Sequence, residues 1–161
     1  MHKMKSIVMI PVLLLLVNAV TAFGQASNTD LSQLSRLIEM ATKETMPEWK
    51  YRIGEPVFKG EHVLIASFTS ADKIIKVSVL PHASRGEAER ALHDFVRRDK
   101  SHKKLDDFGD EGFSRGFANS QVAFRKGNLT VYVSITADEV NKEVVEINKQ
   151  FTKLIALALP N

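Results

Sequence analysis

The chain has 161 residues, 44% of them apolar, with 22 basic and 19 acidic side chains and no cysteine. That is the length of one domain that can bury a core without cross-links. The lack of cysteine excludes disulfides, thiolate metal sites and a cysteine nucleophile.

The first 22 residues read as a secretory signal peptide. A basic stub, Met1 to Lys5, precedes an apolar run from Ile7 to Val17 and the small residues Val20-Thr21-Ala22. The run is too short for a hydrocarbon core that needs about 20 residues. No membrane span is therefore expected after cleavage at Ala22, with Ala26 as the alternative site. Lys3 and Lys5 leave with the signal, so 20 basic residues face 19 acidic ones. That balance gives no global field to hold nucleic acid or an anionic membrane. With no cysteine to carry a lipid, the expected location is periplasmic or secreted. Asn128-Leu129-Thr130 spells a glycosylation sequon, without weight in a bacterial setting.

Residues 23–29 are small and polar and read as a disordered leader. Residues 30–161 then read as a single domain. Asp30 is a helix N-cap with Gln33 in the capping-box position. Leu31, Leu34, Ile38 and Ala41 recur at helical spacing until Pro47. Tyr51 to Phe58, interrupted by Gly54 and Pro56, predicts an edge or bulged strand. His62 to Thr69 and Lys73 to Leu80 alternate as strands around the turn Ser70-Ala71-Asp72, so they form a hairpin.

Ser84-Arg85-Gly86-Glu87 is a capping box. It opens a helix with Ala88, Ala91, Leu92, Phe95 and Val96 on its apolar face and cations in its last turn. A loop from Ser101 to about Gly112 leads to a second hairpin, turning at Lys126-Gly127-Asn128. Thr136-Ala137-Asp138-Glu139 reads as the capping box of a final helix bearing Val140, Val144, Ile147, Phe151 and Leu154. The two halves share a plan, and Lys76-Val77-Ser78-Val79 matches Tyr132-Val133-Ser134-Ile135 in pattern. The expected fold is α+β: an antiparallel sheet with helices packed on one side, built from pseudo-duplicated β-β-α units after an N-terminal helix.

Asp106, Asp107, Asp110 and Glu111 place four carboxylates in six residues beside Gly109 and Gly112, which makes them the metal candidates. Their spacing fits no calcium-loop pattern. The expected role is structural, with no cofactor bound. Gly109, Gly112 and Gly116 do not read as a phosphate cradle, because Asp110 and Glu111 would stand beside the anion. Asp107-Phe108-Gly109 spells a kinase metal-binding triplet without the rest of the kinase set. Phe108, Phe113 and Phe117 alternate with the glycines and are expected to plug the core edge, Phe113 above all, with an exposed apolar lip as the alternative. Arg97, Arg98, Lys100, Lys103, Lys104 and Phe108 are the partner-binding candidates. Among the histidines, no pair has the spacing of a helical zinc site. His93 and Asp94 are neighbours in sequence and do not share a helix face.

Gly109-Asp110-Glu111-Gly112-Phe113, followed by Val122-Ala123-Phe124-Arg125-Lys126-Gly127-Asn128-Leu129 and a final helix, resembles small exported bacterial α+β domains. These include uncharacterised lipoproteins and extracellular sensor domains of receptor kinases. The similarity spans about residues 107 to 157. It implies an α+β sandwich with a binding role and carries over no catalytic residue. The chain departs from the group in lacking an anchoring cysteine and disulfides. The expected function is an exported, non-catalytic binding module for an unknown protein or small-molecule ligand. The alternative is an auxiliary subunit docking on an envelope or membrane complex, and an enzyme of unknown class comes third. N-terminal sequencing of the exported protein is expected to start at Phe23, or else at Ser27. Intact Met1 in a membrane pellet would replace export with anchoring.

Overall fold

The computed structural model describes residues 30–52, 56–59 and 62–160. The signal peptide and the leader expected at 23–29 lie outside the described residues.

Helix α1 (Leu31–Thr45) starts where the capping signal places it. Asp30 Oδ1 accepts from the amides of Ser32 and Gln33 at 2.9 and 3.3 Å. The edge segment is two short strands, β1 (Lys50–Tyr51) and β2 (Val57–Lys59), both paired with β3 (Val63–Ser70). β3 forms the first hairpin with β4 (Lys73–Pro81). Helix α2 (Arg85–Arg97) follows with Ser84 as its N-cap and with the return bond of the capping box shifted by one residue, to Ala83. Ser84 Oγ accepts from Glu87 N–H at 3.2 Å, and the Glu87 carboxylate accepts from Ala83 N–H at 3.1 Å. Next come β5 (Lys103–Leu105), β6 (Glu111–Arg115), a single 3-10 turn (Phe117–Asn119), β7 (Gln121–Lys126), β8 (Leu129–Thr136) and α3 (Lys142–Ala158).

The described strands form one antiparallel sheet in the order β1-β3-β4-β8-β7-β6-β5, with β2 also on β3. The fold is α+β, as expected. Three elements differ from expectation. Strand β6 adds a third strand to the second hairpin by pairing with β7, in a stretch where the sequence pattern predicts none. Part of the predicted loop after Ser101 is strand β5, whose exposed Lys103 and Lys104 pair with Ser114 and Phe113 at the sheet edge. The last helix begins six residues after Thr136. Thr136 stays in β8 opposite Ile74, and Asn141 caps the helix instead, its Oδ1 accepting from Val144 N–H at 3.0 Å. The strand pairing of Thr136 overrides a local capping pattern that looks complete in sequence.

The period of two divides the strands between two faces. Leu64, Ala66, Phe68, Ile75, Val77, Val79, Val122, Phe124, Val131 and Val133 share one face and are buried in the main core with residues of α1 and α3. The opposite face presents Phe113 and Ala123, buried in a separate small cluster with Leu92 and Val96 of α2, with Phe95 and Tyr132 packed against it. So α1 and α3 cover one side, and α2 covers the β7–β8 part of the other. This corrects the expectation that all helices pack on one side. It also limits the duplication. Two β-β-α copies joined through the antiparallel β4–β8 pair would be related by a twofold axis normal to the sheet, and both helices would then share a face. The strands obey that relation, with Val77 opposite Val133. The helices break it.

The centre of the main core is aromatic. Phe151 of α3 is fully buried, and its ring centroid lies 5.1 Å from Phe68 and 5.7 Å from Trp49. Tyr51 stacks on Phe68 at 4.5 Å and its hydroxyl donates to Ser35 O at 3.1 Å, which ties the β1 edge to α1. Val133 is 1% exposed, as its strand position requires. Phe151→Ala is expected to cost about 3–5 kcal/mol. Urea unfolding indistinguishable from wild type would mean that this helix face is not the core.

Candidate functional site

The acidic loop is taken apart by the structure. Asp107 lies 3.8 Å from Lys153 of α3, with its own backbone at φ 64°. Asp106 is exposed. Glu111 turns to the other side and meets His93 of α2 at 3.1 Å. Asp110 alone faces the β7–β8 turn. Its Oδ2 accepts from Arg125 Nη1 at 2.7 Å and from Gly127 N–H at 2.9 Å, while its N–H donates to Arg125 O at 2.8 Å. Among the described residues, no three or more His, Cys, Asp or Glu side chains group as a metal site would require.

The two motifs that carried the family resemblance therefore meet in space. Gly109 has φ 62°, and a Cβ there would collide with the carbonyl oxygen of Arg125; at Gly112 a Cβ would lie 2.6 Å from Phe108 Cβ. Each member of Arg125-Lys126-Gly127-Asn128 has a structural task. Arg125 holds Asp110. Lys126 Nζ donates to the carbonyls of Ala156 and Leu159, neutralising the negative end of α3. Gly127 supplies φ 59° and an amide. Asn128 Nδ2 donates to His82 O at 2.9 Å. His82 is held below its ordinary pKa by burial, with the Glu87 charge opposing.

The phenylalanines separate. Phe108 is 8% exposed and belongs to the main core, which removes it from the partner-binding candidates. Phe113 is buried under α2, with the rings of His93 and His102 edge-on at 6.3 and 5.8 Å. Phe117 is 80% exposed. Its loop is held, not loose. Gly116, Ala118 and Asn119 have φ of 78°, 53° and 62°, and the left-handed conformation costs a Cβ-bearing residue such as Ala118 about 1 kcal/mol or more. Gly116 N–H donates to Asp99 Oδ2 at 3.0 Å, Ser114 Oγ to Asn119 Oδ1 at 3.3 Å, and Asn148 Nδ2 of α3 to Ser120 O at 2.9 Å.

Asp99 is the anchor of this loop. Hydrogen bonds from the Ser101 hydroxyl, the Ser101 amide and the Gly116 amide lower its pKa to about 2. The folded value lies below the unfolded one, so the tie contributes stability above the ordinary carboxylate range and loses it as pH falls through about 2. Asp99 sits among the cations. Arg97, Arg98, Lys100, Lys103 and Lys104 are all exposed, and of these Arg97 has an acidic neighbour, Asp94, at 3.5 Å. Behind the loop, a groove of about 480 Å³ runs between Ala118 and the first turns of α3, lined by Val140, Val145, Glu146 and Lys149.

Sequence reasoning missed the His93–Glu111 pair, since the partner lies on β6 and not beside His93 in the chain. It also missed a polar cleft at Lys76 and Ser134, visible in sequence only as the polar half of two alternating strands. Comparison with known protein families, curated proteins and solved structures finds no match to this chain. Among the described residues, no helix is long and apolar enough to cross a membrane.

Asp110→Asn is expected to lower stability by about 1–2 kcal/mol, the loss of charge-assisted bonds at a half-exposed site. Calcium at about 5 mM is expected to leave the wild-type melt in place. A melt raised several degrees by calcium in wild type but not in the variant would make the loop a metal site.

Proposed function

We propose that the protein is an exported binding module that docks on an acidic surface of a protein partner. The observation that carries this reading is Phe117, whose ring stands 80% exposed on a loop fixed from both sides. Burying such a ring is worth about 1.5–3 kcal/mol, and little ordering cost remains when the loop is already set. Aromatic anchors of this kind carry much of the energy of protein interfaces. The backbone strain at Ala118 fits a loop kept in shape for contact rather than for stability.

The cations at the end of α2 and on β5 supply steering and choice of partner. Arg97, Arg98 and Lys100 lie beside Asp99, which bonds the Phe117 loop directly. The groove behind the loop gives a partner segment a place to lie once the ring is seated.

Affinity capture from the native envelope fraction tests the reading. Wild type is expected to recover a defined partner, and Phe117→Ser to recover about tenfold less or lower still. Added salt should weaken capture by wild type. Phe117 is exposed, so the substitution should change stability by no more than about 0.5 kcal/mol. Recovery of the same proteins by both forms would exclude this surface.

A further inference from the structure

Strand alternation lays a polar row across the sheet face that α2 only partly covers. Ser67, Lys76, Ser134, Gln121 and Arg115 are successive register partners on β3, β4, β8, β7 and β6. Beside the Phe95 flank of α2 the row opens into a cleft of about 200 Å³. Lys76, Ser78, Phe95, Gln121, Tyr132 and Ser134 supply its side chains.

The cleft is rich in donors. Among the described residues, the Lys76 ammonium and the hydroxyls of Ser78 and Ser134 have no hydrogen-bond or ion-pair partner. Gln121 Oε1 accepts from Arg115 Nε at 3.2 Å, so the free end of that amide is its Nε2 donor pair. Arg115 lies with its guanidinium carbon 3.5 Å from the Phe95 ring centroid, which keeps a second positive charge next to the cleft. The carboxylate of Asp94 acts on Tyr132 from the same flank, but it lies 3.5 Å from Arg97. The apolar wall is the Phe95 and Tyr132 ring pair, with centroids 4.8 Å apart.

We propose that this cleft is a binding site for a small organic anion, a carboxylate carried on a flat apolar body. The carboxylate meets Lys76 and the two serine hydroxyls, each a donor that now faces water. The flat body packs by apolar contact against the Phe95 and Tyr132 rings, which are tilted 51° to each other with Arg115 over one face of Phe95. The cleft is smaller than the roughly 300–1,000 Å³ of sites for drug-sized ligands, which limits the ligand to about one ring. This site is separate from the docking surface, since Phe117 does not line it.

The test is a heteronuclear NMR titration of the full mature chain with benzoate, benzamide and inorganic phosphate at matched ionic strength. Benzoate is expected to shift the amides of residues 76–78, 121 and 132–134 in a saturable way. Benzamide lacks the charge and phosphate lacks the flat body, so each should bind at least about tenfold more weakly. Lys76→Gln should weaken benzoate about tenfold and Lys76→Arg should largely keep it. Lys76 is exposed, and the dispersed spectrum of each variant reports that it is folded. Phe117→Ser should bind benzoate as wild type does, which separates this proposal from the docking reading. Absence of saturation up to about 20 mM, equal binding of benzamide or phosphate, or unchanged binding in Lys76→Gln would overturn it.

Discussion

The antiparallel pairing of β4 with β8, from Ile74↔Thr136 to Pro81↔Leu129, joins two hairpins that are distant in sequence. The loop closure it requires is unfavourable, and the apolar side chains on one face offset it. Val77, Val79, Val131 and Val133 sit side by side there with almost no exposure. Once this pair is in register, the parity of every other strand follows. A shift of one residue would turn Val77 and Val133 to the α2 side and Lys76 and Ser134 into the main core. The location of the polar row is thus a consequence of the same pairing that builds the core.

The helices divide unequally around that sheet. α1 and α3 contact each other and close the apolar face. α2 needs only a small contact set, with Leu92 and Val96 over Ala123 and Phe113, and bonds from the Thr130 and Tyr132 hydroxyls to its backbone at Ala88 and Ala91. It therefore leaves part of its face uncovered along the Phe95 flank. The opening is a result of how few apolar residues that face has to bury.

Local chemistry was readable from sequence, and long-range competition was not. Asp30 and Ser84 cap their helices because a side-chain oxygen three residues upstream of a free amide has no rival. Thr136 had a rival in Ile74, its partner near the start of β4, and does not cap the helix. Strand β5 was hidden because lysines are poor strand formers that nonetheless suit an exposed edge. The side on which α2 packs could not be read, since the connection after Pro81 is compatible with either face. The acidic loop was legible as turn chemistry. What sequence could not supply was that Asp110 reaches Arg125 and Gly127 while its neighbours Asp107 and Glu111 point to other elements. Likewise, the three alternating phenylalanines read alike as plugs of the core edge, which holds for Phe108 and Phe113, and nothing in their spacing set Phe117 apart as the exposed one.

The Asp110 clamp bears on how other sequences of this kind are recognised. Gly109 must lack a Cβ because of the Arg125 carbonyl, and Asp110 must be acidic because of Arg125 and the Gly127 amide. Gly109-Asp110 and Arg125-Lys126-Gly127 are therefore one signature written in two places, brought together by the pairing of β6 with β7. Each half alone is ordinary turn vocabulary and would be met by chance in many chains. Scored jointly, with an antiparallel strand pair between them, they describe a three-dimensional lock, and drift at one half should be accompanied by drift at the other.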